Sequence, residues 1–399
     1  MSPKVIYVDR NDSTGRYLNS PKNGDAFYTF GWAGIMAREF KKENPDYLVE
    51  CWKADSRISS VFTKEISDVL FRVYPGAHTP YLGILSTSLK KNLKIELKTS
   101  KDLIVNISSC NHMLFYRIAL ILKNHPLIIQ HHGETTTEFD FKYRTGILRK
   151  LKALFLHSLE RKAFCNVDVF FGLDIRIKDS LPSSFTGKFI QQTLGVDEKM
   201  FFPLDKEKSK KEIGLDPMMN YCLFVGRLDY TKRADMLIEA WNRVKDKFPK
   251  WRMIIAGNIP NMPLEDFARK SGILIYGKIL QTELYKYLSA ANVYILANYK
   301  GIHTFGGVGL LSIQSLFCET PVIGATVRNF PTDIQNDVGI YTETIDQLTQ
   351  ALESVLSQNK TFFSLREKAI PFYSWSAISR KTRQEYDNLL LKYKKNELH

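Results

Sequence analysis

Cysteine is scarce in this sequence, and long apolar runs are missing. The chain has 399 residues but only five cysteines, none of them in a CxxC pair. This spacing excludes a disulfide framework and a CxxC-type zinc site, and it is typical of a reducing compartment. No run of about 18 uncharged apolar residues occurs, so we expect no membrane-spanning helix. The opening stretch SPKVIYVDR predicts a first β-strand and not a signal peptide.

Side-chain charge is absent from one glycine-rich stretch. The stretch GGVGLLSIQSLFCETPVIGA, residues 306–325, has the pattern of a loop, a short apolar helix and a buried strand. Such loops present backbone N–H groups to a phosphate at a helix start. Yet no Lys, Arg, Asp or Glu lies between Gly301 and Cys318. The GxGxxG fingerprint of a dinucleotide site is also missing from the first turn of either half.

Acidic residues are outnumbered, and the excess of basic residues is concentrated in the first half. The formal net charge is +14. Residues 79–101 hold five basic residues and one acidic residue, and residues 142–162 hold seven and one. This pattern indicates an anionic partner, which is a membrane surface, a nucleic acid or an anionic substrate. Nucleic acid is disfavoured because no recognised binding module accompanies the charge.

The length predicts two domains, and the apolar runs predict their class. In the second half, short apolar runs alternate with helical patterns at Ala234–Val244, 281–290, Leu310–Phe317 and 344–356. The predicted strands there are 221–226, 251–257, 272–277, 292–297 and 320–325. Strands that are apolar throughout and flanked by helices are typical of a parallel sheet covered on both faces.

The first half has a similar but less regular pattern. Its predicted strands are 4–9, 46–51, 102–107, 126–131, 167–172 and 188–192, and its predicted helices are 26–41, 113–123 and 144–164. We therefore predict an α/β protein with two Rossmann-like, doubly wound domains, residues 1–200 and 201–375. A helix at 376–399 is predicted to pack back on the first domain. Two such domains facing a cleft bind ligands at the carboxyl ends of their strands.

The stretch FVGRLDYTKR follows the first strand of the second domain. Gly226 permits a turn, Arg227 stands at the strand end, and Lys232 and Arg233 are predicted to open the next helix. Cations at a helix N-terminus oppose the helix dipole, so a purely structural design avoids them. The pattern favours a diphosphate clamp formed by Arg227 and Lys232. The alternative is a solvated basic turn.

At this point the sequence resembles the retaining glycosyltransferases of family 4, which have the GT-B fold. FVGRL followed by Lys232 is similar to the phosphate-binding start of that family's donor domain. TLGVDEKMFFP, NVYILA, GGVGLLSIQSLFCETPVIGA and YSWSAISRKTRQEYDNLL resemble later family segments in the same order. The resemblance extends from about Asp168 to the C-terminus. Before it, HHG at 131–133 is the clearest fragment.

The resemblance implies roles for individual residues. Arg227 and Lys232 would bind the donor diphosphate, and His132 would face the transferred sugar, although a lone His in an apolar strand is also compatible with a core residue. The implied donor-binding residues are Gly226, Gly277, Lys278, Ile279, Gly306, Gly307, Val308, Gly309, Leu310 and Gln314. Weaker candidates for the sugar or acceptor side are Gly24, Glu134, His303 and Thr304. A flexible loop explains Gly24 equally well.

The same resemblance identifies a departure from the family. The family usually has two glutamates eight positions apart, and the CETPVI segment aligns them with Gly306 and Gln314. No Asp or Glu lies between Glu283 and Glu319, so a small shift of the alignment does not restore them. The sequence therefore predicts a loop that holds its ligand mainly through backbone amides, with weaker donor binding or a different donor.

The two basic segments have two interpretations. In 144–164 and in 82–101, apolar residues recur near helical spacing among basic ones. A core-packed helix with a solvated basic face is one. A helix lying on anionic lipid is the other. Because members of the resembled family often act on lipid-linked or cell-surface glycans, we favour membrane contact through both segments.

The sequence thus predicts a cytoplasmic, two-domain glycosyltransferase, peripheral at the inner membrane face. It would transfer a hexose with retention from a nucleotide-diphosphate sugar to a glycan or lipid-linked acceptor, in polysaccharide or glycolipid synthesis. No cofactor or metal is expected, because Arg227 and Lys232 would neutralise the diphosphate and no DxD motif lies at the predicted site. The alternatives are a catalytically degenerate GT-B protein that binds a glycan or a partner, and a GT-B epimerase.

Overall fold

The computed structural model describes residues 2–9, 24–79, 83–143, 146–296 and 306–397. These residues form two compact units. The N-terminal unit contains the described residues up to Thr193 together with those from Ile378 onward, and the C-terminal unit contains those from Leu194 to Ala377.

The N-terminal unit is built on a mostly parallel sheet with the strand order β10-β9-β8-β7-β1-β2-β4-β3, in which only β3 is antiparallel. A separate antiparallel pair joins β5 and β6. The strands are β1 (Lys4–Val8), β2 (Leu48–Asp55), β3 (Phe62–Ile66), β4 (Val69–Pro75), β5 (Ala77–Thr79), β6 (Gly83–Leu85), β7 (Leu103–Ser108), β8 (Leu127–Gln130), β9 (Val169–Gly172) and β10 (Lys188–Gln191).

Helices cover both faces of this sheet. They are α1 (Asp25–Thr29), α2 (Trp32–Glu43), α3 (Thr87–Thr99), α4 (Met113–Ala119), α5 (Thr137–Tyr143) and α6 (Ile147–Phe164), with a 3₁₀ helix at Ile175–Ser180. The apolar core on one face combines β-strand residues such as Val105 and Ile129 with α4 and α6 residues such as Phe115 and Phe164. Helix α2 packs on the other face, where Phe40 meets Tyr7. Burial on both faces explains why these strands are apolar throughout.

The last helix, α15 (Trp375–Glu397), runs from the C-terminal unit into the N-terminal unit. Tyr386 is buried on it, and its hydroxyl donates to the Tyr7 hydroxyl at 3.0 Å and accepts from the Asn106 amide at 2.8 Å. Lys188 and Glu385 form an ion pair at 2.6 Å. These contacts attach the end of the chain to β1, β7 and β10.

The C-terminal unit has a wholly parallel sheet with the order β13-β12-β11-β14-β15-β16. Its strands are β11 (Asn220–Val225), β12 (Trp251–Ala256), β13 (Leu274–Tyr276), β14 (Val293–Leu296), β15 (Val322–Gly324) and β16 (Gly339–Ile340). Its helices are α7 (Lys206–Glu212), α8 (Ala234–Val244), α9 (Met262–Lys270), α10 (Leu284–Ala290), α11 (Leu310–Phe317), α12 (Thr332–Val338), α13 (Ile345–Leu356) and α14 (Leu365–Tyr373). Short 3₁₀ helices lie at Tyr230–Lys232, Lys245–Lys247 and Ala325–Asn329.

The helices of the C-terminal unit divide between two cores. Residues of α8, α9 and α13 pack on one face of the sheet, and residues of α10, α11, α12 and α14 pack on the other. The strand that opens the unit, β11, lies between β12 and β14. The chain thus builds outward from β11 in one direction and then from β14 in the other. This change of direction is a topological switch point, where ligands bind in open α/β sheets.

The predicted fold class is confirmed, since both units are Rossmann-like α/β layers. The predicted helix at 26–41 is wrong in one respect, because the structure has two helices there. The backbone breaks at Phe30 and Gly31, and Gly31 has a φ of 115° that a helix does not accept. The helix predicted at 113–123 ends earlier, at Ala119.

Candidate ligand-binding edges

Glycines stand at the carboxyl ends of three neighbouring strands in the C-terminal unit. Gly226 follows β11, Gly257 follows β12 and Gly277 follows β13. A Cβ on Gly257 would lie 2.0 Å from the Gly226 carbonyl oxygen, and its φ of +139° is in the left-handed region. Around Gly277 no atom lies within 4 Å of such a Cβ. The first two strand ends are therefore packed backbone to backbone, and the third leaves open space.

Arg227 lies at the end of β11 with 57% of its side chain exposed. Its Nε is 3.2 Å from Asp229 Oδ2, and its Nη2 donates to the Thr231 hydroxyl at 3.1 Å. Asp229 also accepts from the Lys232 backbone N–H at 3.0 Å. Burial raises the pKa of Asp229, but hydrogen bonds from the Thr231 hydroxyl (2.6 Å) and the Lys232 N–H, together with the Arg227 charge, hold it below its usual range. The turn is thus a compact ionic loop with its guanidinium facing water.

Lys232 does not open helix α8, contrary to the sequence prediction. It ends the 3₁₀ turn at Tyr230–Lys232, and Arg233 follows in a left-handed conformation with a φ of 51°. Arg233 is paired with Asp235 at 3.1 Å. The chain reverses here between strand and helix, so Arg227 and Lys232 belong to one short turn.

The glycine-rich loop leads into α11. Gly306 is exposed, Val308 is buried, and Gly307 and Gly309 have φ values of 58° and 76°. The Thr326 hydroxyl donates to the Gly307 carbonyl at 3.1 Å and to the Val308 carbonyl, and the Asn329 amide donates to the Gly307 carbonyl at 3.1 Å. Because these carbonyls are bound from within the protein, the loop holds a fixed shape at the positive end of α11.

The other described candidates of this unit differ in exposure. Lys278 is exposed and Ile279 is half-buried against the apolar core. Leu310 is half-buried at the first turn of α11. Gln314 is 3% exposed, and its Oε1 atom has no hydrogen-bond partner among the described residues. His303 and Thr304 lie outside the described residues.

In the N-terminal unit, His132 follows β8. Its ring lies nearly parallel to that of Trp32, with the ring centroids 6.0 Å apart and an interplanar angle of 24°. Burial lowers the pKa of His132 to about 4, although the neighbouring Glu134 carboxylate opposes this. The imidazole is therefore neutral near pH 7. Its Nε2 atom is inaccessible to water and has no partner among the described residues.

Glu134 binds backbone groups. Its two carboxylate oxygens accept from the N–H groups of Cys110 at 2.8 Å and His132 at 3.0 Å. Burial opposes ionisation, but the His131 and His132 rings and the hydrogen bonds hold the pKa of Glu134 at about 2. The carboxylate thus joins the ends of β7 and β8. Gly24 lies apart from this pair, directly before α1.

Several residues of these edges carry no signal that the sequence analysis used. The predicted strand 251–257 contains Gly257, and Thr326 and Asn329 follow the predicted strand 320–325. Trp32 was assigned to a helix interior. A glycine directly after a buried strand was the available signal for Gly257.

Helix α6 differs from α3. Helix α3 buries Leu89 and Leu93 fully, so core packing accounts for its leucines. The first half of α6 instead exposes Ile147, Leu148, Leu151, Leu154 and Phe155, at 79, 78, 57, 62 and 67%. No helix within the described residues is both long enough and apolar enough to cross a bilayer. In the same residues, no three His, Cys, Asp or Glu side chains come together as a metal ion would require.

Part of this chain is similar to a known protein family. Residues 205–371 match the model of the family described as glycosyl transferases group 1. The D-inositol 3-phosphate glycosyltransferase of Segniliparus rotundus is 28% identical over 148 residues, which cover 36% of this chain and 33% of the relative. The protein of that name from Mycobacteroides abscessus is 27% identical over 212 residues, covering 50% and 46%. The matches thus span between a third and a half of these curated relatives.

Solved structures resemble this chain over nearly its whole length. Sucrose-phosphate synthase from Thermosynechococcus elongatus has a TM-score of 0.67 at 16% identity, covering 98% of this chain and 100% of that one. The Anabaena protein HepE, solved in complex with UDP, has a TM-score of 0.60 at 12% identity, covering 96% and 100%. At this identity the likeness shows the fold, which is of the GT-B type.

Proposed function

We propose that this chain is a retaining glycosyltransferase that moves a hexose from a nucleotide-diphosphate sugar to a glycan or lipid-linked acceptor. One observation carries the proposal. The Arg227 turn after β11 and the glycine loop before α11 flank the switch point between β11 and β14. A cation and a helix N-terminus at such a crevice are suited to a diphosphate.

The chemistry follows from these groups. Transfer breaks the bond between the sugar carbon and the diphosphate oxygen, so negative charge grows on the leaving diphosphate. Arg227 and Lys232 stabilise that charge, and the loop N–H groups add uncharged donors. Asp229 and Thr231 bind the Nε and Nη2 atoms on one side of the Arg227 guanidinium, so its other N–H groups can donate to a phosphate oxygen while Asp229 stays bound. Asp229 thus keeps Arg227 oriented before the donor arrives.

Calorimetry with UDP, as the probe, tests the clamp. A charged hydrogen bond contributes about 1.5–3 kcal/mol, so Arg227→Ala and Lys232→Ala should each weaken UDP binding by about 10- to 100-fold. The matched control is Arg269→Ala, because Arg269 is also 57% exposed and paired with a carboxylate but lies on α9. Its affinity should change by less than about twofold. Equal UDP affinities in wild type and all three variants would contradict the proposed diphosphate clamp.

Product analysis tests transfer and retention. The protein is incubated with a panel of nucleotide-diphosphate hexoses and a cell-lipid extract, and the anomeric configuration of the product is read by NMR. An α-linked product from an α-linked donor supports the proposal. Inverted product contradicts retention, and interconversion of the donor without acceptor indicates an epimerase. Donor binding with no product under any condition favours a binding protein.

We further propose that α6 places the protein on an anionic membrane surface, where a lipid-linked acceptor is found. The five exposed apolar side chains of α6 occur within nine residues at spacings of one helical face. Lys142, shortly before the helix in sequence, and Lys150, within it, are exposed. An apolar stripe flanked by lysines fits the headgroup region of a bilayer that contains anionic lipid.

Vesicle co-sedimentation separates α6 from α3. Leu151→Asp should reduce binding to vesicles of phosphatidylglycerol and phosphatidylcholine by about tenfold or more, because burying a leucine contributes about 1.5–3 kcal/mol. The control is Ile95→Asp, which makes the same charge change at an exposed apolar residue of α3. Equal loss in both variants would mean that only net charge matters. Binding of wild-type protein to neutral vesicles alone would contradict the anionic requirement.

A further inference from the structure

A cavity of about 370 Å³ lies at the amino-terminal edge of the parallel sheet in the C-terminal unit. It lies where α8 ends and where β12 and β13 begin, and its lining includes Trp241, Trp251 and Gly272. Gly257 and Gly277, by contrast, follow the carboxyl ends of β12 and β13. This cavity, which we call the amino-edge cavity, is therefore separate from the proposed diphosphate site.

The size and walls of the amino-edge cavity suit a small ligand. Trp241 and Trp251 are 2% and 6% exposed and belong to the apolar core under the sheet, so this wall is fixed by packing. A Cβ on Gly272 would meet no atom within 4 Å, which leaves open space beside it. Ligand pockets in proteins measure about 300–1,000 Å³, and a volume near the lower end of that range suits a small metabolite.

Arg252 is the charged group that best defines the ligand. It is exposed, and its Nη1 atom donates to the carbonyls of Pro249 at 2.9 Å and Trp251 at 2.8 Å. Its Nε and Nη2 atoms make no hydrogen bond within the described residues. Because the Nε–H and Nη2–H groups share one edge of the guanidinium, this edge can pair with two oxygens of a phosphate.

The other arginines of the C-terminal unit have different partners. Arg366 donates to three backbone carbonyls. The remaining five each pair with a carboxylate, and they are Arg227, Arg233, Arg243, Arg269 and Arg328. Arg252 is thus held by two carbonyls, while no carboxylate of the described residues compensates its charge. A guanidinium held in this way is suited to an anionic ligand.

Two further charged side chains line the amino-edge cavity. Lys245 lies in the 3₁₀ helix after α8, and its Nζ donates to the Ser271 carbonyl at 3.3 Å. This leaves two of its three donors, and no carboxylate of the described residues pairs with it. Asp246 is exposed and, in the same part of the chain, has no cationic partner. The lining therefore carries two positive charges and one negative charge, which favours an anion.

We propose that the amino-edge cavity binds a small phosphomonoester, with its phosphate on Arg252 and Lys245 and its organic part against the two indoles. A phosphomonoester carries a charge of about −1.5 to −2 near pH 7 and has three acceptor oxygens, enough for the guanidinium edge and the ammonium together. A single carboxylate has only two oxygens and one charge. The proposal does not depend on glycosyl transfer, because it concerns the opposite edge of the sheet.

Fluorine NMR shows whether a ligand enters this cavity. The full-length protein carries 5-fluorotryptophan at its five tryptophan positions, and the resonances of Trp241 and Trp251 are assigned with Trp241→Phe and Trp251→Phe. The probes are glucose 6-phosphate, glucose and citrate, each titrated with UDP in excess so that a donor site is occupied. We expect glucose 6-phosphate to move both resonances and glucose to move neither. Citrate should bind at least about fivefold more weakly than glucose 6-phosphate.

Three substitutions test the charges. Arg252→Ala should weaken glucose 6-phosphate binding by about tenfold or more, because it removes the paired edge of the guanidinium. Asp246→Asn should strengthen binding by about two- to fivefold, because it removes a negative charge from the lining. The matched control is Lys250→Ala, which removes an exposed cation near Arg252 in sequence that does not line the cavity. Its affinity should change by less than about twofold.

Several results would overturn the inference. They are unmoved Trp241 and Trp251 resonances, equal affinities for citrate and glucose 6-phosphate, and a variant Asp246→Asn that binds no more tightly than wild type. Equal losses in Arg252→Ala and Lys250→Ala would also overturn it, because only net charge would then matter. A failure to bind UDP in calorimetry would contradict the proposed function alone, since the expected affinities at this cavity do not depend on UDP.

Discussion

The buried carboxyl of Glu160 should give the N-terminal unit an unusual dependence on pH. Glu160 is fully buried on α6, and its two oxygens accept the Thr137 N–H at 3.0 Å. Tyr116 donates to it at 3.3 Å. Burial raises the pKa of Glu160 from 4.5 to about 7, even though these hydrogen bonds oppose the rise. The folded chain therefore holds a proton that the unfolded chain has released.

The sign of the effect follows from proton linkage. Between pH 4.5 and 7 the folded state binds more protons at Glu160 than the unfolded state, so stability falls as pH rises. His132 acts in the opposite direction. Its pKa falls from 6.5 to about 4 on folding, so between these values the unfolded state binds more protons and stability rises with pH. The two slopes oppose each other over most of the same range.

Glu160→Gln should remove the pH dependence of stability that is due to Glu160 and leave the one that is due to His132. The glutamine stays neutral, and its carbonyl oxygen can still accept the Thr137 N–H. One pKa unit corresponds to about 1.4 kcal/mol, so the wild-type shift corresponds to a loss of about 3 kcal/mol between pH 4.5 and 7.5. Relative to wild type, the variant should gain about this amount over that interval, and its own stability should rise with pH up to about 6.5.

Urea denaturation at pH 4.5, 5.5, 6.5 and 7.5 measures this difference. Unfolding of the N-terminal unit is followed by pulsed hydrogen-exchange mass spectrometry. Deuterium uptake is measured in peptides from α5 and α6, at one labelling pH for all samples. His132→Gln is the complementary variant, and it should leave a stability that only falls across the range from 4.5 to 7. Parallel pH profiles for wild type and Glu160→Gln would refute the reasoning, because they would show that Glu160 does not titrate there.

Three further substitutions test the packing of the two units. Gly257→Ala should lower Tm by several degrees and weaken UDP binding, because its Cβ would lie 2.0 Å from the Gly226 carbonyl; Gly277→Ala, with open space around it, serves as the control for the change in Tm. Thr326→Val should weaken UDP binding about tenfold with little change in helix content by circular dichroism, since the Val308 carbonyl loses the Thr326 donor while the Gly307 carbonyl keeps Asn329. Tyr386→Phe should cost about 1–3 kcal/mol in urea denaturation, because its hydroxyl serves two buried partners.

The sequence predicts most strands of the two main sheets but not β3, β4, β16 or the β5–β6 pair. The parallel strands were predicted because burial on both faces makes them apolar throughout. The antiparallel hairpin of β3 and β4 was not predicted. Its two-residue turn is Ser67–Asp68, with φ values of 53° and 58° and no glycine, so the usual turn signal is missing. Strand β3 is also half exposed and carries polar side chains, which makes it weak as an apolar run.

The candidate site was predictable where one residue type points to one chemistry. Arg227 after a buried strand was such a case. Trp32 was not, because an indole at helical spacing is compatible with a core position, and only the tertiary structure shows its exposure and the ring beneath it. The turn at Arg233 was also unpredictable, since a left-handed arginine leaves no signal in sequence.

The family resemblance predicts that Gly306 and Gln314 stand in place of two glutamates, and this limits what the glycine-rich loop can do. Gly306 has no side chain, so any contact it makes uses its backbone. Gln314 keeps a polar head, but it is buried on α11 and its Oε1 has no partner among the described residues. A carboxylate there would be a buried charge whose oxygen has no hydrogen-bond partner among the described residues, which is far more costly than a neutral amide. Gln314→Glu should therefore lower the Tm of the protein without ligand. The rise in Tm on adding UDP should also be smaller in this variant than in wild type. A larger UDP-induced rise of Tm in this variant would show that the site still accommodates the lost carboxylate.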